Sequence, residues 1–221
     1  MNDVSHSLDQ ESVTNRRNGI IPRIIYPAGA LILSAIAPSG YPDSNHPFNV
    51  TNTKAADFHQ GAINLSGTHW ERTALHHQLD PYLLYAIALV ESSKVEEGFA
   101  SPWPWALNKA GRALYPKTSE EAINHVKKSI DHGESNIDIG LMQVNYRWHA
   151  GRAGSLASMI DPINNVSLGA EILSEAIASV PGDLVLGVGR YHAWQDRHEA
   201  IQYGERVLKL SSRLRLNAGR K

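Results

Sequence analysis

The stretch "DPYLLYAIALVESS", Asp80 to Ser93, constrains this chain more than any other. From Tyr82 to Val90 nothing is charged and only two tyrosine hydroxyls are polar. An aspartate followed by proline is an N-cap and a first helical residue, so a helix opens at Asp80 and runs to Glu91. Because the run is apolar on all sides, other elements have to wrap it, and it becomes the central helix of an α-rich domain. Glu91 falls in phase with Leu84, Ile87 and Ala88, on a face built for burial, where an ionised carboxylate is costly. Either it escapes to solvent as the helix ends, or it is held half dry.

Further helix signals recur beyond this run. Thr118 and Glu121 form a capping box ahead of "AINHVKKSI", with Gly133 as a stop. Asp161-Pro162 opens a helix through "NNVSLGAEILSEAIASV" that ends at Pro181-Gly182. Two more are expected, from Asp183 to Trp194 and from Arg197 to about Leu216. Between Trp103 and Tyr115, "WALNKAGRALY" reads as a small hairpin. The fold class is mainly α, an α+β arrangement in which one helical domain carries a minor β element.

The 221 residues suffice for one domain and a tail. Acids and bases nearly balance, at a formal charge of −1, so no nucleic-acid partner is expected. Without cysteine there is no disulfide, thiolate site or cysteine nucleophile. The 11 histidines show no HExxH or comparable spacing; "HEAIQ" at His198 lacks the second histidine, and neither metal nor cofactor is expected. Upstream, Arg16, Arg17 and Arg23 precede the apolar run "IIYPAGALILSAIA", of signal-peptide length and short of the ~20 residues of a membrane span. Residues 1–40 therefore read as an export signal, with Ala35 and Ala37 as an A-x-A site that the following Pro38 hinders. An uncleaved signal would tether the protein to the membrane. Residues 41–57 read as a linker, 58–216 as the α-rich domain, and 217–221 as a basic tail.

Three stretches carry chemistry: "VESS" at Val90 to Ser93, "IDIGLMQVN" at Ile137 to Asn145, and "VGRYHAW" at Val188 to Trp194. In this order they resemble the catalytic domain of the soluble lytic transglycosylases, lysozyme-like enzymes that cleave bacterial peptidoglycan. The resemblance covers roughly residues 65 to 210, and "DIGLMQVN" is similar to the small specialised members that accompany conjugation, pilus and secretion machines. It departs at His192, where the family commonly has asparagine, and at Tyr146, where it commonly has proline. An insertion also separates Glu91 from Gly140.

The resemblance implies that Glu91 protonates the oxygen between N-acetylmuramic acid and N-acetylglucosamine, then takes the muramoyl C6 proton as a 1,6-anhydro ring closes. Desolvation would supply the raised pKa this needs, and no motif for a second carboxylate stands out, Asp138 being read as positioning its loop. Met142 and Gln143 are expected to line the sugar groove, although Met142 on its own would read as core. The Tyr191 ring is expected to pack while its hydroxyl reaches Glu91 or an acetamido group. Ser92 is expected near the reacting sugar or as a cap. Gly140 would allow a close backbone approach, and Asn145 and His192 would form groove wall. Trp105 and Trp103 would stack on saccharide rings or anchor a loop. The expected protein is a periplasmic monomer acting on glycan strands, with secretion, conjugation or pilus proteins as partners; a lysozyme-like hydrolase and a non-catalytic glycan-binding scaffold are the alternatives.

Overall fold

A computed structural model describes residues 63–96 and 99–219. The signal-like segment and the linker lie outside the described residues. The central helix forms as its sequence requires. In α2 (Pro81–Ser92), Asp80 Oδ1 accepts from the backbone N–H of Tyr82 at 2.7 Å and of Leu83 at 3.2 Å, and Pro81 stands where no N–H is needed. Leu84, Ala86, Ile87 and Ala88 are all fully buried, so the helix has no solvent face along its middle.

Two helices wrap α2 most directly. Trp70 of α1 (His69–His76) meets Tyr85 edge to face, with ring centroids 5.2 Å apart. The long α8 (Arg197–Ala218) runs antiparallel to α2: Arg215 pairs with Asp80 at one end, and Tyr203 reaches Glu91 at the other. Against α8 packs α7 (Leu184–Arg190), closely enough that the backbones touch. A Cβ on Gly189 would collide with the Ala200 carbonyl, and one on Gly204 with that of Val185. The remaining helices among the described residues are α3 (Ser119–Asp131), α4 (Tyr146–Ala153), α5 (Leu156–Ile160) and α6 (Pro162–Ala178).

The β element is larger than expected. After Ser92 the chain leaves α2 directly into β1 (Ser93–Glu96), paired antiparallel with β2 (Phe99–Pro102). The anticipated hairpin is β3 (Leu107–Lys109) and β4 (Arg112–Leu114), turned by Ala110 and Gly111 at φ of 50° and 83°, as a two-residue hairpin turn demands. To it are added β5 (Ile137–Ile139) and the short β6 (Val144–Asn145), in the order β4-β3-β5-β6.

Helix ends show where local signals gave way. Thr118 caps α3 by accepting from Glu121 N–H at 3.1 Å, but Glu121 Oε2 accepts in return from Lys117 N–H at 2.6 Å, one residue outside the expected box. Expected to reach Trp194, α7 stops at Arg190 because the chain must turn before Asp196 caps α8, accepting from Glu199 N–H at 3.0 Å. The preceding turn tightens into i→i−3 bonds at Tyr191 and His192. Similarly α6 ends at Ala178, short of Pro181, and α8 continues to Ala218.

Two glycine-to-alanine exchanges should move stability in opposite directions. Gly204→Ala forces α7 off α8 and should cost at least ~2 kcal/mol in urea denaturation. Gly151→Ala, in exposed helix α4 where a Cβ meets nothing, should gain ~0.5–1 kcal/mol. Equal midpoints for the two variants would contradict the α7–α8 contact.

Candidate active site

Glu91 does not escape to water. It lies in the last turn of α2 with a side chain only 5% exposed, covered by two parallel rings. The Tyr203 hydroxyl donates to Glu91 Oε1 at 2.5 Å. The His192 ring stacks on Tyr203 with centroids 4.6 Å apart and planes 2° from parallel, bringing its Nδ1 to 3.8 Å from the same Oε1. Burial pushes the carboxyl pKa up to about 7; the Tyr203 hydrogen bond opposes this, the Asp138 charge adds to it, and Arg206 pulls it back. Glu91 is thus a carboxyl that keeps its proton near neutrality.

Asp138 is a second buried carboxyl beside it, pushed up to about 6 by burial and partly relieved by the Asn145 amide, which donates at 2.8 Å. Its register opposite Asn145 places it on β5 directly before the "GLMQ" turn. A charge on Asp138 disfavours ionisation of Glu91.

The "GLMQ" segment is held by side chains from several helices. Asn165 of α6, fully buried, accepts from Met142 N–H at 2.9 Å and donates to the carbonyls of Ile139 at 2.9 Å and Met159 at 3.0 Å. Gly140, at φ 78°, must be glycine, since a Cβ would come within 2.5 Å of Asn165 Cγ. Ser92 Oγ lies 2.9 Å from the Ala88 carbonyl and 2.7 Å from that of Leu141, tying the loop to the end of α2. The Tyr191 hydroxyl donates to the Met142 carbonyl at 2.7 Å. Gln143, at φ 45°, donates its side-chain N–H to the carbonyls of Ala106 at 3.1 Å and Gly140 at 2.9 Å.

These contacts revise several expectations. Met142 is fully buried against Gly169, whose missing side chain leaves it room, so it is core rather than groove wall. The Tyr191 hydroxyl holds Met142 and does not donate to Glu91; Tyr203, in the second turn of α8 and in no expected motif, makes that bond instead. Gly140 accommodates Asn165, and Ser92 and the Gln143 amide nitrogen face backbone carbonyls. Trp103 anchors its loop, donating to the Pro116 carbonyl at 2.7 Å, while Trp105 packs half-buried against the core. Asn145 and His192 are both half-exposed or less and stand beside the two carboxyls.

Sequence reasoning missed Tyr203, Asn165, Arg206 and the weight of Asp138. A signal existed for Tyr203: Ala200, Tyr203, Val207 and Ser211 fall on one buried stripe of α8, and a polar-tipped ring on such a stripe calls for a buried partner.

A family model for the transglycosylase SLT domain matches residues 68–205, from the cap of α1 into α8, and spans Glu91, the "GLMQ" loop and Tyr203. No curated protein matches, and no solved structure matches.

Replacing the buried acid should relieve a pH-dependent cost. Unfolded, a glutamate ionises near 4.5, and folded Glu91 near 7, so the stability due to its neutral form is complete below the first value and lost as the pH rises through the second. Glu91→Gln should melt like the parent at pH 4 and be more stable at pH 8, by up to about 3 kcal/mol. A difference independent of pH would contradict the burial of Glu91 as an acid.

Proposed function

Since the chain belongs to the transglycosylase SLT domain family, a domain of lytic-transglycosylase action on peptidoglycan, we propose that it cleaves the β-1,4 bond between N-acetylmuramic acid and N-acetylglucosamine and leaves 1,6-anhydro ends. The observation that carries this reading is Glu91, almost dry at the end of α2 and proton-loaded to about pH 7. With Oε1 occupied by the Tyr203 hydroxyl, Oε2 carries the proton to the glycosidic oxygen. As the C1–O bond breaks, that oxygen leaves as the N-acetylglucosamine hydroxyl and positive charge develops at C1. The Glu91 carboxylate then removes the C6 hydroxyl proton while O6 bonds to C1. The acid is restored and no water is consumed.

One observation favours a second reading within the same substrate class. Asp138 gives the site a second buried carboxyl, and glycosidases that use water pair their acid with such a group. Its role in the proposed reaction is to keep Glu91 protonated and to support the cationic centre. In the cell, the reading extends to an exported, periplasmic enzyme acting beside a secretion, conjugation or pilus machine, supported by the signal-like segment and the "DIGLMQVN" motif. These placements rest on sequence resemblance.

Mass spectrometry of muropeptides released from purified sacculi tests the reaction. Anhydro ends, one water lighter than reducing ends, are expected; reducing ends alone would replace the lyase with a hydrolase. Glu91→Gln should lower release at least ~100-fold, and equal digestion by that variant would overturn the assignment of Glu91 as the acid.

The pH profile should fall on the alkaline side as Glu91 ionises at about 7. Because the Tyr203 hydroxyl favours the ionised form, Tyr203→Phe should move that limb to higher pH. A limb moved to lower pH would contradict the bond's assigned direction.

A further inference from the structure

His192 lies between two carboxyl side chains, one at each ring nitrogen. Nδ1 is 3.8 Å from Glu91 Oε1, and Nε2 is 3.6 Å from Glu199 Oε1 on the first turn of α8. The imidazole is 11% exposed and stacked flat on Tyr203, which fixes the ring plane and aims both rings at the same Glu91 oxygen. Burial lowers its pKa, Arg206 adds to this, and Glu199 opposes it, so the ring is neutral near pH 7. A neutral imidazole has one N–H and one lone pair, and what each faces depends on which nitrogen holds the proton.

The two neighbours are not equivalent. Glu199, with 29% of its side chain exposed, is the more solvated of the two and the one open to accept an N–H. Glu91, at 5%, is enclosed. With the proton on Nε2, the N–H faces Glu199 and the Nδ1 lone pair faces Glu91, which disfavours charge on Oε1. With the proton on Nδ1, an N–H dipole would point at Oε1 and favour an ionised Glu91.

We propose that Glu199 is a positioning residue of this site: it accepts the Nε2–H of His192, fixes the imidazole in that tautomer, and so holds Glu91 in its proton-donating form. The groups facing this row are Glu91 from α2, Asp138 from β5, Tyr191 beside the ring, and Tyr203, Glu199 and Arg206 from α8. His192 thereby has a task that an asparagine, which can offer N–H or C=O with equal ease, would not perform unaided. The inference rests on Glu91 being the proton donor of the proposed reaction.

Glu199 is three residues past the N-cap Asp196, a position where glutamine also fits, so Glu199→Gln should fold. Two readouts on the full-length protein test it. Imidazole nitrogen NMR should show His192 protonated on Nε2 in the parent and a mixed or reversed tautomer in Glu199→Gln. The alkaline limb of kcat/KM on sacculi should move down by about one pH unit in that variant. To separate the imidazole's part from the loss of a nearby charge, the exchange is repeated in His192→Phe, which keeps the stack and removes the nitrogens; there the limb should not move. A parent ring protonated on Nδ1, an unmoved limb in the single variant, or an equal movement in the His192→Phe background would each overturn the proposal. If the parent leaves sacculi intact, the lytic reading fails, and the tautomer spectra alone still decide whether Glu199 sets the His192 proton.

Discussion

The hydrogen bond from Tyr203 to Glu91, made inside the packing of α8 on α2, is the contact on which the rest of the structure depends. A carboxyl in so dry a place is tolerated only if its proton stays on or its charge finds a donor, and the tyrosine provides the donor without supplying a countercharge. An arginine there would have produced a permanently ionised, inert glutamate. The bond requires α8 to run antiparallel to α2 at close range, which in turn requires glycine at 189 and 204 so that α7 can press on α8.

Around this contact the molecule divides its labour. Helices supply the acid, while the small sheet and the "GLMQ" turn carry Asp138. That turn is irregular backbone in a buried place, and every such segment must find partners for its polar groups. Here they come from Asn165 on α6, Ser92 on α2 and Tyr191 at the end of α7. Residues of the recognisable motifs are therefore spent largely on holding the turn rigid, which keeps Asp138 beside Glu91 and gives the acid a fixed electrostatic setting.

Much of the architecture was legible because caps and periodicity are local. Asp80-Pro81, Thr118 and Asp161-Pro162 announce helix starts by satisfying N–H groups within a few residues, and α2 announces its burial by lacking any polar face. Glu91 was legible for the same reason. What stayed hidden depends on contacts between distant segments. Periodicity puts both Tyr191 and Tyr203 on inward faces, but which hydroxyl reaches Glu91 follows from how α7 ends and how tightly α8 approaches. Asn165 looks like an ordinary mid-helix polar residue until the turn it serves is folded against it, and Met142, which the resemblance put in the groove, is the core residue its chemistry alone suggested, with Gly169 leaving it room.

The proposed chemistry depends on the protonation of one side chain in the free protein. Carbon-detected NMR of glutamate-labelled protein, with the Glu91 carboxyl signal assigned by its loss in Glu91→Gln, measures it directly. A midpoint near pH 7 is the predicted result. A midpoint near the ordinary value of 4.5 would mean that the carboxyl is hydrated or charge-paired at neutrality, and the site would then lack its acid.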